Sequence, residues 1–255
     1  MSLSVAIITL NEEANLARTL RSVAWADEIV VVDSGSTDRT RDIAGEMDAR
    51  VIQQDWLGFG AQKNFALRQC SGDWLLSLDA DEEVSPELAR ETQEVVRGER
   101  SGFDAYSMPR RNLFLGRWLR RGGMYPDRKL RLVRKGAAWF AERPVHEDME
   151  YTAPVGELKG DLIHHAYPTV AGYLEHLQRY SDLGAQMVPT HGALWFTAQT
   201  LLNPYATFFY NYFVRGGILD GREGLLYHAY HSTYISWKYA KARALQVQHS
   251  HPHDH

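Results

Sequence analysis

The sequence predicts an α/β fold built on a parallel, doubly wound sheet and followed by a helical C-terminal region. Three observations carry that prediction. Short apolar runs alternate with segments of helical spacing over the first hundred or so residues. Each run ends on a cluster of polar residues, and from Val170 onward long helical patterns take over.

The elements follow in order. Ser4 to Thr9 is β-branched and reads as a buried first strand, and Leu16, Leu20 and Val23 then recur at helical spacing. Glu28 to Val32 is the second strand. Ser34-Gly35-Ser36-Thr37-Asp38 supplies turn and capping residues for a helix over 39–47, and Arg50 to Gln53 is the third strand. Phe59 to Cys70 is helical, and Trp74 to Leu78 is a strand that stops at Asp79-Ala80-Asp81. Ser85 as N-cap and Pro86 at the first helical position open the next helix, with Leu88, Val95 and Val96 on it. Phe103 to Met108 and Lys129 to Val133 are further strands, with a loop rich in Arg, Gly and aromatics between them. No internal repeat is visible.

Composition narrows the function. The 255 residues carry 28 Lys and Arg against 32 Asp and Glu, a net charge of −4, which argues against wholesale binding to nucleic acid. The single cysteine, Cys70, cannot form an internal disulfide or a multi-cysteine zinc site, and reads as a buried, inert thiol. The N-terminus lacks the basic and extended apolar regions of a signal peptide, and no apolar stretch reaches the ~18 residues that span a bilayer. The expectation is a cytoplasmic protein. The His-rich ending at 249–255 is given no catalytic weight.

In open α/β sheets, ligands bind beyond the carboxyl ends of the strands, so the residues after each apolar run are the candidates. Asp79 and Asp81 stand two positions apart, where an extended backbone points both carboxylates to one side, suited to a divalent cation sharing a substrate's phosphates. The alternative is a solvated acidic turn continued by Glu82 and Glu83. Asp33 is placed to accept hydrogen bonds from a nucleoside or, instead, to cap the Ser34–Ser36 turn. Lys63 and Asn64, near a helix start, could meet a phosphate or base, or be solvated. Gly58-Phe59-Gly60 lacks the remaining glycine of a dinucleotide fingerprint, and Lys63 lacks P-loop spacing, so NAD and ATP motifs are unsupported.

Residues 110–135 hold ten of the 28 basic residues and one acidic residue, Asp127. With Trp118, Tyr125 and several glycines interleaved, the segment reads as a loop that handles an anion, or as a solvated basic face. Glu147, in Pro144-Val145-His146-Glu147, is a candidate general base or part of a surface turn. His164 and His165 follow Leu162-Ile163 and are ligands or structural histidines. Residues 201–214 are unusually aromatic and are followed by Arg215. They suit a membrane-surface helix, or else a buried helix or an oligomer contact.

Three motifs, Ile7-Ile8-Thr9-Leu10-Asn11-Glu12-Glu13, Val31-Val32-Asp33-Ser34-Gly35-Ser36-Thr37-Asp38 and Leu78-Asp79-Ala80-Asp81, resemble those of the family 2 glycosyltransferases of the GT-A fold. Gln62-Lys63-Asn64-Phe65-Ala66-Leu67, Gly122-Gly123-Met124-Tyr125-Pro126-Asp127, Val145-His146-Glu147 and Leu219-Asp220-Gly221 are similar to the lipopolysaccharide-core β-1,4-glucosyltransferase type. The resemblance implies a GT-A, Rossmann-like catalytic domain over 1–168, a helical region over 169–248 that meets a membrane or a partner, and the tail. It implies that Thr9, Asn11, Glu12, Asp33 and Lys63 surround a uridine, with Asp79 at the ribose, Ala80 also against the donor, and Asp81 on Mg²⁺ or Mn²⁺. Glu147 would be the base of an inverting transfer from a UDP-sugar, UDP-glucose first, to a lipopolysaccharide inner-core or other lipid-linked acceptor. Arg121, Tyr125, Asp127, Arg131 and His146 would meet the acceptor or diphosphate, with the protein peripheral on the cytoplasmic face of the inner membrane. Rival readings are a relative with another donor or acceptor, or a non-catalytic adaptor that binds sugar nucleotide or membrane.

Overall fold

The computed structural model describes residues 1–141 and 148–250. The chain forms two compact units, one of Met1–Arg111 with Pro126–His165, the other of Asn112–Tyr125 with the chain from Ala166 onward. This differs from a cut at 168 in giving residues 112–125 to the helical unit.

In the first unit, β1 (Leu3–Thr9), α1 (Leu16–Ser22), β2 (Glu28–Asp33), α2 (Thr40–Glu46), β3 (Arg50–Gln53), α3 (Phe59–Gln69) and β4 (Trp74–Asp79) alternate as the sequence predicts. The strands pair in parallel in the order β3-β2-β1-β4. Helices cover both faces, so the central strands read as near-continuous apolar runs. Val5, Ile7, Leu76 and Leu78 pack with Leu16, Leu20, Leu88 and Val95, while Ala6, Val30, Val32 and Leu75 pack with Ala66, Leu67 and Cys70 on the other side. Burial, and then the negative charge of Glu28, push the Cys70 thiol up to about 12, so it is inert at neutral pH.

Beyond β4 the sheet is mostly antiparallel, with the short β11 parallel to β6, which the alternation of the first hundred residues did not foretell. β5 (Glu82–Val84) follows Asp81 directly, α4 (Pro86–Arg97) starts at Ser85, whose hydroxyl accepts from the Leu88 amide at 3.2 Å, and β6 (Ala105–Phe114) comes next. β7 (Arg117–Trp118) pairs with Leu113 and Phe114. β8 (Asp127–Arg134) lies antiparallel between β4 and β6, β9 (Trp139–Phe140) pairs with β10 (Met149–Glu150), and β11 (Gly156–Glu157) joins β6. β12 (Leu162–Tyr167) closes antiparallel on β5 with His164 opposite Glu82. No helix separates β6 from β8, and antiparallel neighbours need none.

The second unit contains α5 (Val170–Gln186), a helical run of α6 (Ala193–Thr197) and α7 (Asn203–Phe209) with π-helical turns at Ala198–Leu202 and Tyr210–Val214, a 3₁₀ turn at Gly217–Asp220, and α8 (Gly221–Ser250). Pro204 lacks an N–H and crowds the preceding turn, which is where the first π-helical widening sits. Its core is aromatic: Phe114, Tyr173 and Tyr227 meet with ring centres 5.1–5.7 Å apart beside Leu119 and Leu177. No helix among the described residues is long and apolar enough to cross a membrane.

Candidate functional site

The carboxyl ends of β1, β2 and β4 and the start of α3 gather Thr9, Asn11, Glu12, Asp33, Lys63, Asp79, Ala80 and Asp81 in the first unit. Asp33 is fully buried and organises the strand ends. One of its carboxylate oxygens accepts from the amides of Gly35 (3.1 Å) and Ser36 (2.9 Å), and the other from the hydroxyls of Thr9 (3.0 Å) and Ser36. Its four lone-pair sites are thus occupied, so the capping alternative describes what it does here. Asn11, in the left-handed region at φ +56°, accepts from the Thr37 amide at 2.9 Å, and its own amide donates to Ser36 Oγ at 2.8 Å. Glu12 donates from its amide to Thr40 Oγ1 at 2.8 Å. Burial, and then the negative charges of Asp81, Asp38 and Asp79, hold its carboxyl above the usual range against the lowering bond from Asn15.

The first buried turns of α3 use three successive polar residues. Gln62 ties the ends of β2 and β3 together through Ser34 Oγ (3.0 Å) and the Gln54 carbonyl (3.2 Å). Asn64 clamps β9, donating to the Phe140 carbonyl at 2.9 Å and accepting from its amide at 2.8 Å. Lys63 between them is buried and reaches Asp79 Oδ1 at 2.8 Å. The solvated readings of Lys63 and Asn64 are therefore replaced by structural ties.

Asp79 ends β4 and is gripped on its other oxygen by Arg131 Nη2 at 2.7 Å. Burial alone would raise its pKa, but Arg131, then Lys63, and His164 beyond them hold it well below the usual carboxylate range. Arg131 also meets Glu82 at 3.0 Å; Glu82 is fully buried, receives Arg110 at 3.3 Å, and accepts from the Asp79 amide at 3.0 Å. The solvated acidic turn expected as the alternative is thus not what Glu82 forms. Ala80 presents its carbonyl to Thr19 Oγ1 at 2.6 Å, fixing the turn between the two aspartates to α1.

Asp81 has a different neighbour. Its Oδ2 lies 3.3 Å from His164 Nε2, and its carbonyl accepts from the His165 amide at 2.9 Å. Against the raising effect of burial, His164 by charge and hydrogen bond holds Asp81 below the usual range. Alternation along β12 sends His165 elsewhere, to Glu83 at 2.9 Å. The side chains of Asp79 and Asp81 remain 27% and 24% exposed, so the pair is open to a ligand.

Asp127 is held by Arg110 through both Nε (2.9 Å) and Nη2 (2.7 Å). Arg121 and Tyr125 lie in the second unit, where the Arg121 amide donates to Asp220 at 2.8 Å and Tyr125 meets Trp118 edge-on at 5.0 Å. His146 and Glu147 fall outside the described residues. Much of the basic run has structural partners: Arg128 bonds the carbonyls of Ser107 (2.9 Å) and Leu158 (3.0 Å), and Arg134 pairs with Asp104 at 2.7 Å.

A carboxylate beside an imidazole, with a second carboxylate two positions away and solvent access, is a donor set that fits Mg²⁺ or Mn²⁺. No group of three His, Cys, Asp or Glu poised for a metal occurs among the described residues. Glu82, Arg110 and His164 complete the site beyond the expected residues. His164 carried a sequence signal as one of two histidines at a strand end, and Arg110 as the first residue of the basic run.

The family whose sequence model matches is Glycosyl transferase family 2, over residues 4–153. The chain belongs to glycosyl transferase family 2. It is 31% identical to the lipopolysaccharide core biosynthesis glycosyltransferase LpsC of Rhizobium meliloti, with 89% of each chain covered. It is 29% identical to an uncharacterized glycosyltransferase of Rickettsia typhi, covering 88% of this chain and 80% of that one. Among solved structures it is similar to S. aureus TarS residues 1–349, at 16% identity and a TM-score of 0.48 over 97% of this chain and 92% of that one. As a family 2 glycosyltransferase with a GT-A sheet, the protein is a transferase, which removes the adaptor reading.

Proposed function

We propose that this family 2 glycosyltransferase moves glucose from UDP-glucose to a lipopolysaccharide inner-core or other lipid-linked acceptor at the cytoplasmic face of the inner membrane, with inversion. The observation that carries the reading is the split environment of one turn: Asp79 is held anionic by Lys63 and Arg131, while Asp81 faces His164. Asp79 and Lys63 lie where a nucleoside diphosphate would enter beyond the strand ends, and the loops held by Asp33 and Asn11 frame the uridine end. The similarity to LpsC supports the lipopolysaccharide acceptor, and the UDP-N-acetylglucosamine in one TarS crystal structure illustrates the class of donor.

Asp81 and His164 would hold Mg²⁺ or Mn²⁺, which supplies Lewis-acid stabilisation of charge on the departing diphosphate. Glu147 removes the proton from the acceptor hydroxyl as its oxygen bonds to the anomeric carbon and the bond to the UDP oxygen breaks on the opposite side. One such displacement turns an α-linked donor into a β-glycoside. The test is transfer from UDP-glucose, UDP-galactose and UDP-N-acetylglucosamine to truncated lipopolysaccharides, read by mass spectrometry and by anomeric NMR. A β-glucosylated product supports the reading; an α-linked product, or turnover of the other sugars alone, overturns it.

A further inference from the structure

The helical run of the second unit has its apolar side on the outside. Leu201, Leu202, Tyr205, Phe209, Tyr210 and Phe213 recur at spacings of three and four and are all exposed, Leu202 at 68%, Tyr205 at 77% and Phe209 at 60%. A soluble helix normally turns such a stripe inward. Between 183 and 219 the chain carries no Asp, Glu or Lys, and Arg215 is its one charged residue apart from His191.

Cations collect where this run ends. The Arg215 guanidinium lies against Gly123, at which a Cβ would come within 2.2 Å of it; Arg121 passes Gly216, and Arg117 lies beside Gly221 and 3.6 Å from Glu223. Residues 117–121 and 215–223 together carry five arginines, Arg120 and Arg222 included, against two carboxylates, Asp220 and Glu223, and the Asp220 carboxylate is already used on the Arg121 amide at 2.8 Å.

We propose that this face, the exposed stripe of 201–213 with the arginine cluster at its end, docks the protein on an anionic phospholipid surface. Rings with a polar tip suit the headgroup boundary, and a helix lying in that plane has its backbone hydrogen bonds satisfied internally. Each arginine near the surface gains from the negative potential of the leaflet. A second copy of the chain would bring the same arginines to a stripe that holds no carboxylate to receive them. The docking stands apart from the choice of sugar and acceptor, since it needs no nucleotide.

The test is co-sedimentation of the full chain with vesicles of phosphatidylcholine alone and of phosphatidylcholine mixed equally with phosphatidylglycerol. Wild type binds the mixed vesicles, and added salt weakens the binding. Leu202→Ser/Tyr205→Ser/Phe209→Ser lowers partitioning by about tenfold or more, and Arg215→Ser/Arg222→Ser abolishes the preference for phosphatidylglycerol. If the triple variant does not fold, Tyr205→Glu alone carries the same test. Donor hydrolysis by these variants without vesicles stays at the wild-type rate, which separates loss of docking from loss of the transferase site. Absence of wild-type binding, binding unchanged by the triple variant, or a wild-type dimer that the triple variant splits would each overturn the proposal.

Discussion

Arg131 joins Asp79 to Glu82: one guanidinium nitrogen lies 2.7 Å from the first carboxylate and 3.0 Å from the second. The contact couples a partly exposed group at the strand end to a buried network that continues through Arg110 to Asp127. Removing the shared cation leaves Glu82 buried with Arg110 and the Asp79 amide on its side chain. Arg131→Met is expected to cost about 3–5 kcal/mol of folding stability, measured by urea denaturation. Arg131→Lys recovers only part of it, because an ammonium lacks the planar fork.

His164 and His165 provide a matched pair. His164→Ala should weaken Mn²⁺-dependent binding of a UDP-sugar by about tenfold or more, whereas His165→Ala, which touches Glu83 instead, should leave it within about twofold. Isothermal titration on both variants decides between the ligand reading of His164 and a purely structural one.

The base assignment is tested by two carboxylates. Glu147→Gln should keep donor binding and lose transfer by about 10²–10⁴-fold. Asp127→Asn, by contrast, should show its main effect in thermal unfolding, because Arg110 loses a charged partner. Steady-state rates alongside melting curves separate the two.

Acid sensitivity has a clear source away from the site. Burial raises the Glu28 pKa, but bonds from the Ser4 hydroxyl, the Ser71 amide (2.7 Å) and hydroxyl, and Arg50 outweigh it and lower the group from 4.5 to about 2. The folded pKa is depressed, so the stabilisation is complete above about 4.5 and is lost as the pH falls towards 2. Glu28→Gln should flatten the fall in stability over that window by on the order of 2 kcal/mol, read from denaturation midpoints at a series of pH values.

The parallel half of the fold was legible because β1, β2 and β4 are buried on both faces and so leave unbroken apolar runs between polar loops. Asp79 and Asp81 were legible for the same reason, as the first polar residues after such a run. Their partners were not. His164 comes to Asp81 only through the antiparallel register of β12 on β5, about eighty residues apart in sequence, and nothing local specifies that pairing. Glu82 looked solvated because its charge follows two others, and its burial depends on Arg110 and Arg131 arriving from distant strands. Residues 112–125 read as part of a basic loop, while Phe114 and Leu119 belong to the core of the helical unit.

The central claim is that Asp81 is the residue through which a divalent cation and a sugar nucleotide bind together. Calorimetric titration of UDP-glucose into wild type and Asp81→Ala, each with and without Mn²⁺, tests it most directly. Wild type is expected to bind more tightly with Mn²⁺, and Asp81→Ala to lose that dependence. Equal, Mn²⁺-enhanced binding by both proteins would contradict it.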